Sequence, residues 1–277
     1  AEQFRQVTGI LPDTFNAMVR VLRMTDEARQ KRGGRKRKLS IEETLLVTLE
    51  YYKEYRTFEC IAASYGVSKQ SIHKMVKWVE GNLVKSGLFS LPGKKALNNR
   101  GYGIEVIVVD TTETPIQRPK KRQKQYYSGK KKRHTLKTQI VIDRQSEMII
   151  CADVCCGKAH DGTIFKNTLR IDPEILALLD SGYRGVQKVH IKSLIPMRRK
   201  EDIEKLSEGE RRQRKKKNKA ISSPRMKVEH IIGRVKRFKI LSEKYRNRRK
   251  RFALRLNLIC GIVNYENPTK LIKNLVS

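Results

Sequence analysis

Two short apolar runs, Val106-Ile107-Val108-Val109 and Leu176-Ala177-Leu178-Leu179, each close on an aspartate, Asp110 and Asp180. Runs this short, apolar throughout and bounded by polar residues, read as strands rather than helices. They commit the chain beyond residue 104 to a sheet. Residues 104–110, 135–143 and 147–155 read as three consecutive strands, with a hairpin at Asp143-Arg144-Gln145-Ser146. A helix follows Asp161, with Ile164, Phe165 and Leu169 inward. Then come the strand closing on Asp180 and another over His190–Pro196. Residues 200–222 are polar and mostly basic and read as an exposed insertion or arm. Helices over about 224–240 and 245–265 close the segment. Strands first, then helix–strand alternation, predict a mixed α/β sheet flanked by helices.

The first hundred residues read differently. Phe15, Met18, Val19 and Leu22 recur at helical spacing. A basic linker, Lys31 to Lys38, carries Arg35 and Arg37. Ser40 with Glu43 forms a capping box opening a helix that would bury Ile41, Leu45, Leu49 and Tyr52. Thr57 then caps a short helix, Gly66 supplies a turn, and Ser68 caps a second helix with Ile72, Met75, Val76 and Val79 inward. Helix, tight turn and helix make a helix-turn-helix. The outward residues of the second helix are Lys69, Gln70, Ser71, His73, Lys74 and Lys77. Their donors and acceptors suit base edges and phosphates in a major groove, although an ordinary helical hairpin with a solvated basic face would carry the same pattern.

Charge favours the first reading. The chain has 62 Lys+Arg against 28 Asp+Glu, a net charge of +34. Such an excess calls for a polyanionic partner, and nucleic acid fits best. No apolar run approaches the roughly 18 residues needed to span a bilayer, and the opening residues do not read as a signal peptide. The five cysteines, Cys60, Cys151, Cys155, Cys156 and Cys260, are odd in number and lack framework spacing, which points to a reducing compartment. Cys151, Cys155, Cys156 and His160 contain no CxxC pair and read better as small hydrophobes than as a zinc site.

A third acid joins the two aspartates. Glu229 lies on the helix beginning near Pro224, where Arg225, Glu229 and Lys236 share one face. Three acceptor-only carboxylates suit Mg²⁺, a hard ion that leaves positions open for substrate phosphate. Each acid has a plainer alternative. Asp180-Ser181-Gly182 fits a turn, Glu229 could pair with Arg225, and Asp161 could be a helix cap rather than a supporting acid behind the metal ligands. The run from Lys120 to His134 looks like a long basic hairpin with aromatics at its centre. Its Lys130 and Lys131 could hold DNA phosphates.

Taken in order, these motifs resemble those of bacterial insertion-sequence transposases of the DDE class, in a branch related to the PIF/Harbinger elements. The stretch Arg56-Thr57-Phe58-Glu59-Cys60-Ile61-Ala62 with Tyr65-Gly66-Val67-Ser68 is similar to the family's helix-turn-helix. Val109-Asp110-Thr111-Thr112-Glu113, Gly157 with His160-Asp161, Asp180-Ser181-Gly182-Tyr183-Arg184-Gly185 and Val228-Glu229-His230 are similar to its catalytic blocks. The third-block pattern of Tyr, Arg, Glu and Lys is met at Arg225, Glu229 and Lys236, with Ser222 at the Tyr position. The resemblance implies an RNase H-like core over 96–277, with a helical DNA-binding domain over 1–95 and its helix-turn-helix at about 57–82. It implies that Asp110, Asp180 and Glu229 hold two Mg²⁺ ions, with Mn²⁺ able to substitute. The expected partners are double-stranded DNA, as terminal inverted repeats and target, and a second copy of the chain. The expected place is the bacterial cytoplasm, at the nucleoid. The alternative is a sequence-specific DNA-binding protein that no longer cuts.

Overall fold

The computed structural model of the chain describes residues 2–31, 33, 37–196 and 207–267, with no side chains described at 214, 217 and 219–225. Two compact units share the chain. One takes the segment up to Ser90 and resumes from Arg234 through the last described helix; the other takes Leu91–Gly233.

The first unit is helical: α1 (Glu2–Thr8), α2 (Pro12–Gln30), α3 (Ile41–Lys53), α4 (Phe58–Ser64) and α5 (Lys69–Lys85). The expected caps are all present. The Ser40 and Glu43 side chains each accept from the other's backbone N–H at the start of α3. The Thr57 hydroxyl accepts from the Cys60 N–H and the Ser68 hydroxyl from the Ser71 N–H. Gly66, at φ +59°, makes the left-handed turn between α4 and α5 that a side chain would resist. Ile72, Val76 and Val79 are buried beneath α5.

The second unit is built on β1 (Val106–Pro115), α6 (Gln123–Tyr126), β2 (Tyr127–Ser128), β3 (Arg133–Asp143), β4 (Ile149–Cys156), α7 (Asp161–Thr168), β5 (Leu176–Leu178), β6 (Ser193–Leu194) and α8 (Glu208–Lys236). β3 pairs antiparallel with both β1 and β4, while β1–β5 and β5–β6 pair in parallel. The result is a mixed sheet in the order β4-β3-β1-β5-β6, the RNase H-like arrangement expected from sequence. Phe165 of α7 and Leu169 just after it join Val109, Val141, Ala177 and Leu179 in one buried cluster. Burying a side chain such as Phe165 contributes roughly 1.5–3 kcal/mol.

Several boundaries differ from the sequence reading. β1 runs past Asp110 to Pro115 because β3 pairs with it as far as Thr135, so Asp110 sits within a strand. The basic segment before His134 is not one long hairpin. It holds the short α6, and only Tyr127 and Ser128 pair back with His134 and Arg133. The helix expected from Pro224 begins sixteen residues earlier, at Glu208. Ser207 and Glu210 cap it reciprocally, and the Lys, Arg and Glu that suggested an arm are also good helix formers. Residues 200–206 of that expected insertion lie outside the described residues. The strand expected over His190–Pro196 shrinks to Ser193–Leu194.

The chain also returns to its beginning. α9 (Lys239–Ser242) and α10 (Phe252–Tyr265) belong to the helical unit, whereas the sequence reading ran one catalytic domain from residue 96 to the end. Gly261 makes this packing possible: a Cβ there would lie 1.7 Å from the Phe89 carbonyl oxygen. Burial of charge fixes it. Glu80 of α5, 0% exposed, accepts from Arg255 Nε at 2.6 Å, from Arg251 and from the Tyr52 hydroxyl at 3.0 Å. Arg255 is itself 3% exposed and also donates to Tyr245 Oη at 2.8 Å.

Glu80→Gln should therefore destabilise the helical unit by about 3–5 kcal/mol, because it leaves a buried guanidinium without its counter-charge. Urea unfolding followed through a helical-unit probe, with an unchanged midpoint as the contrary result, checks this.

Candidate active site and nucleic-acid interface

Strand register leads towards two of the three expected acids. In the parallel β1–β5 pair, Val108 lies opposite Leu178. Asp110 and Asp180 each follow two residues beyond that pair, Asp110 still within β1 and Asp180 at the turn after β5. Both are half-buried. Asp110 Oδ1 accepts from the Thr111 N–H at 2.9 Å, and Asp180 Oδ1 accepts from the Ser181 N–H at 2.7 Å. These local bonds orient the carboxylates.

Asp161 opens α7 and lies beside them. Its Oδ1 accepts from Lys137 Nζ at 3.0 Å, and Lys137 also donates to the Ala159 carbonyl at 2.7 Å. Its Oδ2 packs so closely on the turn after Asp180 that a Cβ at Gly182 would meet it at 2.6 Å. Tyr183 lies behind all three acids. It is fully buried with its ring edge-on to Phe165. Burial first, then the charges of Asp161, Asp110 and Asp180, push its hydroxyl well above the ordinary tyrosine range. The sequence reading found no tyrosine in a catalytic setting. The signal was its place three residues after Asp180.

Glu229 sits on an exposed turn of α8, two residues from Lys227, which pairs with Glu147 at 2.7 Å. Among the described residues no three His, Cys, Asp or Glu side chains gather closely enough to hold a metal ion. Lys236, on the same helix, is half-buried, and the Arg225 side chain lies outside what is described.

Beside Asp161 the second unit opens into a basic cavity of about 880 Å³. Arg118, Lys124, Tyr127, Lys130, Lys137 and Lys158 help to line it. Tyr127 meets His134 edge-on at 5.6 Å. Lys130 thus faces a concavity. Lys131 is exposed, and its backbone N–H donates to the Ser128 hydroxyl at 3.2 Å.

In the helical unit, α5 presents Lys69, Gln70, His73, Lys74 and Lys77 to solvent, with Ser71 half-buried near its cap. Lys69 pairs with Glu59. His73 meets Phe58 edge-on at 5.8 Å. Partial burial, then Lys77, lower its pKa, so it offers a neutral donor and acceptor at pH 7. Arg37 does not join this surface. Its Nε bonds Asp26 at 2.7 Å and its guanidinium lies 3.8 Å over the Trp78 ring, a structural role imposed by the buried acid. Arg35 lies outside the described residues.

Comparison with known proteins decides what such a pairing of units is. Residues 109–264 match the family described as DDE superfamily endonuclease, and residues 37–89 match the helix-turn-helix of DDE superfamily endonuclease. The chain belongs to the DDE superfamily of transposase endonucleases. It is 40% identical over 271 residues to a probable transposase for insertion sequence element IS702 from Microchaete diplosiphon, covering 98% of this chain and 96% of that one. A second relative, named as a transposase for insertion sequence element IS112 in Streptomyces albus G, is 26% identical over 239 residues, 85% of this chain and 84% of its own. No solved structure matches. These matches make the chain an insertion-sequence transposase of the DDE superfamily and leave the PIF/Harbinger branch unresolved. Among the described residues no helix is long and apolar enough to cross a membrane.

The Asp26–Arg37 pair yields a pH-dependent expectation. Burial would raise the Asp26 carboxyl, but hydrogen bonds from Arg37, Gln30 and Arg29 outweigh it and hold the group below its ordinary range. A depressed carboxylate contributes stability that is present above its unfolded pKa and lost as pH falls through the folded one. Arg37→Gln should cost about 1–3 kcal/mol at neutral pH. Thermal unfolding from neutral pH into acid should show that gap to wild type closing. A gap that stays constant rules the pair out as its source.

Proposed function

We propose that this transposase binds the terminal inverted repeats of its element through α5 and cuts and joins DNA at the Asp110–Asp180 pair. The observation that supports the reading is the parallel pairing of Val108 with Leu178, two residues before each aspartate, within a DDE-family chain. Their chemistry fits Mg²⁺, which is commonly held by one or two carboxylates together with substrate phosphates. Asp110 and Asp180 would be the first ligands and Glu229 the third, for two ions, with Mn²⁺ able to substitute. Bound there, Mg²⁺ supplies Lewis acidity to both the attacking and the leaving oxygen of an in-line phosphoryl displacement.

The rest falls to the chain's own groups. The backbone N–H groups of Thr111 and Ser181 hold the two carboxylates in orientation. Lys137 fixes Asp161 against the Asp180 turn. Lys130 and Lys131, with Lys236 and Arg225 on α8, hold flanking phosphates. The product of cutting is a 3′-OH at the element end, and the same centre drives that hydroxyl into target DNA. Two ends must be handled together, so the working unit is at least a homodimer on DNA, at the bacterial nucleoid.

One observation favours a second reading. Among the described residues no three acids gather closely enough to hold a metal ion, as would fit a domesticated transposase that binds DNA and no longer cuts. Strand transfer of a pre-cleaved, labelled element end into supercoiled plasmid separates the two. Magnesium-dependent joining that EDTA abolishes and Glu229→Gln eliminates supports the transposase reading. Tight, specific binding without joining supports the binder.

Asp110→Asn should abolish cleavage and leave end binding within about three-fold, since a charge lost from the metal site removes transition-state stabilisation rather than DNA contacts. Loss of binding alongside cleavage would count against a purely catalytic role. Lys74→Ala should weaken binding uniformly across sequences and reduce the salt slope by about 1. A gel-shift titration across salt concentrations that returns the wild-type slope removes Lys74 from the interface.

A further inference from the structure

The strongest unassigned feature lies between α9 and α10. The nine residues Glu243-Lys244-Tyr245-Arg246-Asn247-Arg248-Arg249-Lys250-Arg251 contain six cations. Sequence order places them near the end of the catalytic match, yet they fold with the helix-turn-helix.

The loop is built rather than loose. Arg248, Arg249 and Arg251 adopt left-handed backbone at φ +46°, +68° and +58°. Each such non-glycine residue is strained and persists only where its surroundings over-determine it. Those surroundings are on hand. The Arg246 N–H donates to Tyr55 Oη at 2.7 Å, and its guanidinium stacks 4.0 Å over the Tyr55 ring. Asn247 Nδ2 donates to Tyr51 Oη at 2.6 Å, and the Tyr245 hydroxyl donates to the Lys250 carbonyl at 2.7 Å. Arg251 is tied to Glu80 of α5. These anchors leave the side chains of Arg248, Arg249 and Lys250 exposed. Neither Arg248 nor Lys250 forms an ion pair among the described residues.

The loop also sits next to the reading helix. Tyr51, which holds Asn247, packs on Phe58 at 4.6 Å, and Phe58 meets His73 of α5.

We propose that Arg248, Arg249 and Lys250 form a phosphate clamp that grips duplex DNA beside α5, making the C-terminal loop a second element of the DNA-binding unit. Strain and anchoring hold the cations in place before DNA arrives, so little side-chain or backbone ordering remains to oppose binding. The clamp adds affinity without sequence preference, because phosphates carry no base information. It rests on the reading of α5 as a DNA-recognition helix.

The test uses the full chain and fluorescence anisotropy on two labelled duplexes, one bearing the element's terminal repeat and one of scrambled sequence, across a salt series. The variant Arg248→Asn/Arg249→Asn/Lys250→Gln removes three charges, and asparagine tolerates the left-handed backbone at the first two positions. The salt slope of log K should fall by about 2–3 at roughly 0.9 per lost phosphate contact, with affinity down ten-fold or more on both duplexes alike. Lys250→Gln alone, outside the left-handed positions, should lower the slope by about 1. Arg248→Lys/Arg249→Lys should keep the wild-type slope.

An unchanged slope in the triple variant overturns the clamp. A loss confined to the terminal-repeat duplex also overturns it, since that would be base reading. So does equal loss in the charge-preserving variant, which would mean a role in shape. If the wild-type chain shows no salt-dependent binding to either duplex, the recognition-helix reading fails and the clamp fails with it.

Discussion

The parallel pairing of β1 with β5 is the constraint on which the catalytic half depends. Asp110 and Asp180 are seventy residues apart in the chain, and neither has a local reason to meet the other. Register supplies it: with Val108 opposite Leu178, each aspartate follows two residues beyond the last paired residues of β1 and β5. A slip of one residue would turn a side chain to the opposite face of the sheet and part the acids. The buried Val109, Val141, Ala177, Leu179 and Phe165 set a steep cost on such a slip. The apolar core thereby does chemical work, since its packing fixes where two charges stand.

The helical unit rests on a different kind of constraint. Glu80 is buried in full, and an unpaired carboxylate there would be untenable. Arg251, in the loop before α10, and Arg255, on α10, satisfy it from more than 170 residues later. A buried acid in the helix-turn-helix therefore dictates where the chain's C-terminal part must return. The same logic holds Arg37 against Asp26, removing from the DNA-facing set a cation that charge alone had placed there.

Much of this was legible in the residues. Caps at Ser40, Thr57 and Ser68 and the turn at Gly66 are local, set by side chains bonding backbone a few positions away, and they stand where the pattern put them. Strand existence followed from apolar runs. Strand ends did not, because β1 is prolonged by its partner β3 and not by its own composition. The helix α8 was half missed for a related reason. A run of Lys and Arg is compatible with either helix or solvated arm, and the Ser207–Glu210 cap that tips it is easily overlooked. Tyr183 was quoted as part of a motif without a role, since only the folded chain shows that its ring is fully buried against Phe165.

By itself, the sequence determined the class of the protein. Helical periodicity, apolar runs ending in aspartate and an excess of cations indicated a helix-turn-helix, an acid-bearing sheet and a polyanionic partner, and the resemblance of the ordered motifs to DDE transposases supplied the family. The tertiary structure decided which charges are available for function. It aligned the strands that lead to Asp110 and Asp180, left Glu229 exposed on α8, bound Arg37 to Asp26 and tied the loop from Arg246 to Arg251 to α5. A charge's use depends on burial and partners, and both come from contacts between segments distant in sequence.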